Sequence, residues 1–454
     1  MTDAGGFKFT VSISGHRNIV SEDIEHVERA LASQLRFIAE LVGKDSMEVV
    51  SGLAEGADTL AARVALRENL NFRAVLPAPV DVYRSDFDEK SVLEFDEFIN
   101  LPNVSVEEIA LPLGRSGNDF ISDPDRTQIY VRLMDYLVRR SNIIIALWDG
   151  KFSGLEGGTS EVVRSYLDVV TSSDVDTIKI HQWPDNEVLT GESSVVIWIP
   201  VRRENASLQI NKNISYLFSN GFSDKIYKTD RLPQSVETRC KYFRQFLQQT
   251  EQFGHFASGY SLLISEENEQ KDLSTINDLY KFSDQAAVNF QNLSDKYFKI
   301  ISLLGAIMGF IFLLYAGISN SIELLIAYIV VFSFSYIFFI KIARSESFSM
   351  HLTARNIAEL MRIRFFARLS AVDSSPELNF SHLLREYNFS DFSGSHAVHD
   401  FVRCSEPLCF DTNANFEASY QSVRERWLDD QRYYFTKKEK QLSAKSRRLK
   451  LLKK

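Results

Sequence analysis

The sequence is poor in cysteine and has no surplus of basic residues. Its three cysteines, Cys240, Cys404 and Cys409, are odd in number and scattered, so we expect no disulfide framework and a reducing compartment. The formal net charge of −9 argues against nucleic acid as the main partner, because phosphate binding needs a basic field. The N-terminus also lacks the basic segment and apolar core of a signal peptide, which predicts that the first domain begins in the cytosol.

Residues 7–201 alternate short apolar strands with amphipathic helices, which is typical of a parallel sheet covered on both faces. Apolar residues at helical spacing predict a helix over Ile24–Leu41 that starts near Ser21. The pattern predicts a doubly wound, Rossmann-like α/β fold. The predicted strands are Phe9–Ser14, Glu48–Ser51, Phe72–Leu76, Ile143–Trp148 and Val195–Pro200.

Two apolar runs, Ile300–Ile318 and Leu324–Ile340, contain no charged residue, and each is close to the ~20 residues that cross a bilayer. Only Ser319–Glu323 separates them, which predicts an antiparallel transmembrane hairpin. The flanks are basic and the loop is acidic, so we expect a multi-pass protein of the cell inner membrane with both termini cytoplasmic. The alternative is a buried helical hairpin of a soluble protein. The flanking basic residues are Lys296, Lys299, Lys341 and Arg344, and the acidic one is Glu323.

These patterns divide the 454 residues into four predicted segments, because the chain is too long for one compact core. They are an α/β domain over 1–204, a helical connector over 205–296, the transmembrane hairpin over 297–342 and a cytosolic helical region over 343–454.

Glycine-rich polar loops follow three of the predicted strands. They are Ser14–Arg17 (SGHR), Ser51–Asp58 (SGLAEGAD), and Trp148–Gly150 leading into Glu156–Glu161 (EGGTSE). In open parallel sheets, ligands bind outside the carboxyl ends of the strands, where free N–H groups of helix N-termini attract anions. The three loops therefore predict a nucleotide pocket at one edge of the sheet.

These motifs resemble the SLOG (SMF/DprA-LOG) superfamily. SGLAEGAD is similar to the SG-x-A-x-G-x-D loop of DNA-processing DprA proteins, and GGTSE is similar to a shortened glycine-threonine-glutamate loop of the LOG nucleotide hydrolases. The resemblance implies a domain that binds a nucleotide-derived signal; the alternative is that the glycines only form turns and His16 or Arg17 pairs locally. The ligand-binding residues it implies are Gly15, His16, Arg17, Gly52, Glu55, Gly56, Asp58, Asp149, Gly157, Gly158, Thr159 and Glu161.

The LOG resemblance also raises the alternative of a membrane-anchored nucleotide N-glycosidase. Glu161 stands at the position of the catalytic carboxylate of that family, where it would stabilise a charged ribose. The chain departs from the family, because it has GGTSE in place of GG-x-GT-x-x-E and lacks the preceding proline. We therefore expect binding without catalysis and no cofactor. The ligand remains open among a cyclic dinucleotide, an ADP-ribose derivative and a mononucleotide.

The membrane half resembles the SLATT class of two-helix effectors. The resemblance lies in the hairpin, in Arg355–Arg362 (RNIAELMR) and in Arg426–Tyr434 (RWLDDQRYY). It implies a homo-oligomeric sensor-effector of bacterial antiphage defence, in which a nucleotide-derived second messenger switches the membrane helices and disrupts or depolarises the lipid bilayer. The alternative is a pair of amphipathic cytosolic helices.

Three smaller patterns complete the sequence. Gly305 and Gly309, with Ser302 one turn earlier, form a small-residue face that allows close helix packing. Nine basic residues against one Glu over 437–454 suit an anionic membrane surface or a solvated helix end, and a further hairpin beyond residue 454 stays open. His396, His399, Cys404 and Cys409 do not have the spacing of structural zinc sites, so we expect no metal.

Overall fold

The computed structural model describes residues 6–109, 111, 123–169, 179–183, 194–203, 212–219, 225–253, 261–262, 271–319, 321–370, 395–406, 420–421 and 423–452. Within these residues nine strands form one sheet in the order β4-β3-β2-β1-β5-β7-β8-β9-β6. Strands β4 to β7 of that order pair in parallel, and β8 is antiparallel to β7 and β9. The strands are β1 Phe9–Gly15, β2 Met47–Ser51, β3 Asn71–Leu76, β4 Val104–Glu108, β5 Ile143–Trp148, β6 Ile180–Gln182, β7 Val196–Pro200, β8 Ser215–Ser219 and β9 Ile226–Thr229.

Helices cover both faces of the sheet, as the near-continuous apolar strands predict. In β5, Ile143 and Ile145 belong to one apolar cluster and Ile144 and Trp148 to another on the opposite face. The predicted doubly wound α/β fold is confirmed. The helices of this part are α1 Ser21–Val42, α2 Ala57–Arg67, α3 Val80–Arg84, α4 Glu89–Ile99, α5 Asp123–Arg140, α6 Thr159–Tyr166 and α7 Gln234–Glu251.

The helical assignment of the connector, 205–296, is wrong in two places. Strands β8 and β9 lie in this range and extend the sheet beyond β7. Each has only four or five residues, SYLFS and IYKT, which is too short for a two-residue alternation to stand out from helical spacing. Strand β4 was also not predicted, because its sequence, VSVEE, ends on two acidic residues.

A helical stalk joins the sheet domain to the apolar hairpin. The helix α8, Lys271–Gly317, is continuous: its first half is buried against the sheet domain and its second half is exposed and apolar. The helices α9, Ile322–Ser345, and α10, Ser347–Leu369, return antiparallel to it. Two contacts set that direction, His351 Nδ1 with the Ala287 carbonyl at 3.0 Å and Arg355 with Asp284 at 2.9 Å. We call α10 and residues 271–298 of α8 the stalk.

Two helical stretches of the described chain, Leu273–Gly317 and Ile322–Leu369, are long and apolar enough to cross a membrane. Their most apolar windows are not buried by the rest of the chain. A soluble helical hairpin would bury these side chains in its own core, so their exposure favours the lipid-facing alternative.

The helix α11, Ser395–Arg403, packs where α7, α10 and the start of β5 meet. Phe401 stacks on Phe243 of α7 with ring centroids 4.4 Å apart. Asn142, next to β5, donates to the Asp400 carbonyl at 3.0 Å. A π-helical turn over Arg424–Asp429 then leads into α12, Asp430–Leu452. The sequence also predicts a last helix from about Glu417, a start that lies outside the described residues.

No cluster of three or more potential metal ligands occurs among the described residues. Cys404 is buried, and its thiol donates a hydrogen bond to the Lys8 carbonyl oxygen at 3.0 Å. Cys409 lies outside the described part of the chain.

Candidate ligand-binding site

The loops after β1 and β2 touch each other through glycine. A Cβ atom at Gly56 would lie 1.9 Å from the Arg17 carbonyl oxygen, and the φ of Gly56 is +74°, so no other residue fits without rearrangement. A Cβ atom at Gly15 would lie 2.4 Å from Ala57 Cβ and 2.7 Å from Leu147 Cβ. The backbones of the two loops are therefore held in direct contact above β1 and its neighbours.

The N-terminus of α2 is already occupied by the chain itself. The Ala57 amide donates to the His16 carbonyl at 3.1 Å, and the Thr59 amide donates to the Ala54 carbonyl at 3.1 Å. These bonds use N–H groups that a helix start otherwise offers to an anion. The SGLAEGAD loop thus shapes the site more than it supplies donors to a ligand.

The N-terminus of α6 is free by comparison. Its cap residue, Gly158, provides no side-chain hydrogen bond, and the amides of Thr159 and Ser160 donate to no acceptor within the described residues. The Ser14 hydroxyl at the end of β1 lies 3.4 Å from the Thr159 hydroxyl. Two amides and two hydroxyls therefore converge beside the glycines, which is an arrangement that suits a phosphate or carboxylate.

His16 and Asp149 connect the ends of β1 and β5. His16 Nε2 lies 3.2 Å from both the Asp149 amide nitrogen and Asp149 Oδ1. Burial acts to raise the pKa of Asp149, but hydrogen bonds from His16 and from the Lys151 amide hold it below its usual value. Part of the alternative proposed for His16, a local pairing, is thus observed.

Arg17 is exposed and packs over Tyr130 of α5. Arg17 Nη2 donates to the Tyr130 hydroxyl at 3.0 Å, and its guanidinium lies 5.4 Å from the ring centroid. The Tyr130 hydroxyl donates in turn to Asp86, which is also paired with Arg126. Burial raises the pKa of Tyr130 to about 12, with Asp86 adding to the rise and Arg17 opposing it. This network presents a positioned guanidinium at the edge of the site.

The segment after β3 contributes residues that the sequence reasoning missed. Tyr83 is fully buried, its hydroxyl has no hydrogen-bond partner among the described residues, and its ring packs edge-on against Tyr130. Together with Asp86 it comes from the carboxyl end of β3, the next strand beyond β2. The rule that directed attention to the ends of the other strands applies equally here, but the segment has no glycine motif to mark it.

Asp58 is buried beneath the β2 loop. Its Oδ2 accepts a hydrogen bond from the Ala54 amide at 3.3 Å, and a Cβ atom at Gly52 would lie 3.2 Å from the same oxygen. Burial raises the pKa of Asp58 to about 7, while the backbone amides of Ala54 and Gly52 and the charge of Arg17 have smaller, opposite effects on it. Asp58 closes its own loop and is not presented to solvent.

The two glutamates of the motifs behave differently. Glu161 forms a two-point ion pair with Arg164, one turn along α6, with the second oxygen 2.9 Å from Nε. Glu55 is half-buried, and its side chain makes no hydrogen bond or ion pair with any residue that the structure describes. Gly157, with φ +73°, lets its loop approach α5, since a Cβ atom there would lie 3.0 Å from Tyr130 Cβ. The predicted residues thus share one sheet edge, but Glu161 points along its own helix.

The sequence matches no family model and no curated protein. Among solved structures, the chain is similar to the X-ray structure of DNA processing protein A (DprA) from Streptococcus pneumoniae, with 17% sequence identity and a TM-score of 0.25. The similarity covers 40% of this chain and 53% of that chain, so the chain spans about half the length of the protein it matches.

Proposed function

We propose that the chain is a membrane-anchored sensor-effector. In this proposal the α/β domain binds a nucleotide-derived second messenger, and occupancy changes the packing of the two apolar helices in a homo-oligomer. The result is disruption or depolarisation of the membrane. A role in bacterial antiphage defence is carried over from the SLATT resemblance alone.

The continuity of α8 is the observation that carries the proposal. Within this one helix, Phe282 packs against Phe7 at the start of β1, with ring centroids 5.7 Å apart, and Phe310 is exposed in the apolar segment. A single helix transmits a rotation or shift along its whole length, so the sheet domain and the hairpin form one mechanical unit. A passive membrane anchor needs no such rigid connection.

The donors at the site support an anionic ligand. The free amides of Thr159 and Ser160 and the Arg17 guanidinium suit phosphate groups, which are recognised by amides and by fork-shaped cations. Glycines at 15 and 56 hold the loops after β1 and β2 in direct contact and so fix the backbone around the site. Binding of such a ligand shifts the assembly only if one packing state binds it more tightly than the other.

The hairpin supports an effector role. A Cβ atom at Gly305 or Gly309 would meet no heavy atom within 4 Å, so this small-residue face is not used against α9 and is open to a second copy of the chain. Neither apolar run contains a charged residue, so we expect no selectivity ring and an unselective conductance.

The N-glycosidase alternative has less support, because the Glu161 carboxyl is engaged by Arg164 along its own helix. The test is prolonged incubation of the purified chain with nucleoside monophosphates, ADP-ribose and cyclic dinucleotides. A receptor returns every bound compound chemically intact. Release of free base by the parent chain and its loss in Glu161→Gln would establish the hydrolase instead.

Membrane topology is tested separately with single cysteines. A cysteine at Ser321, between the two apolar helices, should react only with reagents that reach the outer side, and one at Ser274 only from the cytosol. Reaction of both from the same side would remove the transmembrane hairpin from the proposal.

A further inference from the structure

The helix α12 starts out along the stalk, directed toward the membrane hairpin. Trp427, in the π-helical turn before α12, stacks on Phe366 with ring centroids 5.3 Å apart. One turn later, the Gln431 side-chain amide has its oxygen turned toward Arg362 and accepts a hydrogen bond from Arg362 Nη1 at 2.7 Å. Moving four residues forward, from Trp427 to Gln431, therefore moves the contact four residues back along α10, from Phe366 to Arg362. The two helices are antiparallel, and α12 descends toward Ser347.

The length of α12 brings its end to the membrane entry. From Arg362 back to Ser347, where α10 begins, the helical rise is about 22 Å. The same rise from Gln431 reaches Ser446, and the helix continues to Leu452. A helix of this length that continues antiparallel to α10 reaches the level at which α9 ends and α10 begins.

This end of α12 is strongly basic. Residues 445–452 contain four Lys or Arg and no acidic residue, interleaved with Leu449, Leu451 and Leu452. The described side chains from Arg432 to Arg447 are all exposed. The flanks of the hairpin at the same level are mainly basic as well, with Lys296, Lys299, Lys341 and Arg344 against Asp295 and Glu346, so the neighbouring chain repels this segment more than it attracts it. An anionic surface is the partner that fits.

We infer that the basic end of α12, residues 445–452, docks on the anionic lipid headgroups beside the hairpin. The inference rests on the proposed insertion of the hairpin in a membrane. Leucines among the basic residues enter the boundary between headgroups and acyl chains while the charges contact lipid phosphates. Trp427, just before α12, and Gln431 at its start bind this helix to α10. The lipid contact of α12 therefore holds the far end of the stalk to the bilayer at a second point.

The test uses the full chain reconstituted in vesicles, with an environment-sensitive dye on Ser446→Cys and the native cysteines replaced by serine. In phosphatidylcholine vesicles containing phosphatidylglycerol, the dye emission should shift to the blue and be quenched by spin-labelled lipid. In phosphatidylcholine alone, both signals should be absent. High salt should reverse them, since the attraction falls off within a Debye length.

A charge variant sharpens the test. Each basic residue near an anionic surface strengthens binding about five-fold, so Arg447→Gln, Arg448→Gln and Lys450→Gln together should lower the ratio of docked to free helix on the order of 100-fold. The matched control, Arg29→Gln, Lys44→Gln and Lys90→Gln, removes the same charge from exposed positions of the sheet domain and should leave the dye signal unchanged.

Insertion of the hairpin is checked in the same vesicles with a cysteine at Ser321. A dye at position 446 that reports water in anionic vesicles, while the hairpin is inserted, overturns the docking of α12 and leaves the proposed function intact. Equal lipid contact in phosphatidylcholine alone overturns the electrostatic basis. A hairpin that fails to insert removes both this inference and the proposed function.

Discussion

Replacing Asp58 by asparagine should change how the stability of the α/β domain depends on pH. Burial raises the pKa of Asp58 from 3.8 to about 7 in the folded chain. Between pH 4 and pH 7 the folded chain therefore holds a proton that the unfolded chain has lost. The free energy of unfolding falls as pH rises through this window and levels off above pH 7.

The size of the effect follows from the shift. Each pKa unit corresponds to about 1.4 kcal/mol, so a shift of about three units makes the charged carboxyl cost on the order of 4 kcal/mol above pH 7. In Asp58→Asn the amide oxygen still accepts from the Ala54 amide, but nothing titrates. The variant should match the parent near pH 4.5 and exceed it at pH 8, by an upper limit on the order of 10 °C in Tm.

The assay is thermal unfolding of the detergent-solubilised chain, followed by tryptophan fluorescence, to which Trp148, buried in β5, contributes. Asp149→Asn is the matched control, because the pKa of Asp149 is lowered and its stabilisation is lost as pH falls. Its Tm should lie below that of the parent, and this deficit should shrink only as pH falls below about 3.8, whereas the excess Tm of Asp58→Asn shrinks between pH 8 and pH 4.5. A Tm difference for Asp58→Asn that stays constant from pH 4.5 to pH 8 would refute the buried carboxyl.

Substitutions at three further positions, two of them with a matched control, test the site and its separation from α11. Arg17→Ala should weaken a phosphate-bearing ligand by about 1.5 to 3 kcal/mol in calorimetry, the value of a hydrogen bond to a charged group, and Arg17→Lys should lose less; equal affinities would dismiss the contact. Gly56→Ala should destabilise the domain by about 1–3 kcal/mol or more and weaken binding, because its Cβ would meet the Arg17 carbonyl, whereas Gly154→Ala, also at positive φ but in open space, should spare binding. Asp400→Asn removes one charge of the buried pair with Arg239 and should lower the unfolding free energy by on the order of 3 kcal/mol. Ligand affinity should not change, because α11 contacts the end of β5 opposite the site. A changed affinity would contradict that separation.

The central strands were predictable because strands that are buried on both faces consist almost entirely of apolar residues. The run Ile143–Trp148 is apolar throughout, and all six residues are buried, which no turn or exposed helix imitates. Strands β8 and β9 were not predictable, since their order in the sheet depends on pairing with β7 and each is too short to show a period. The length of α8 was also hidden, because a change from buried to exposed residues resembles an element boundary.

Part of the site was predictable from glycine. Gly15 and Gly56 mark close backbone contacts that only this residue allows, and they lie at the carboxyl ends of the strands with the other predicted loops. The setting of Arg17 was not predictable, because Tyr130 lies 113 residues away and is brought near by the fold. The Glu161–Arg164 pair was within reach of sequence reasoning, since residues three apart on a helix are neighbours.

Ion leakage from vesicles containing the full chain tests the central claim most directly. Nucleotides of the candidate classes are added to vesicles loaded with a voltage-sensitive dye, with the parent, Gly309→Ala and Gly309→Leu compared. We expect that a nucleotide that binds the chain also depolarises vesicles carrying the parent or Gly309→Ala. Gly309→Leu should bind and insert but fail to depolarise, because leucine blocks close helix approach. Depolarisation by Gly309→Leu equal to that of the parent, or binding by the parent without any leakage, would contradict the account.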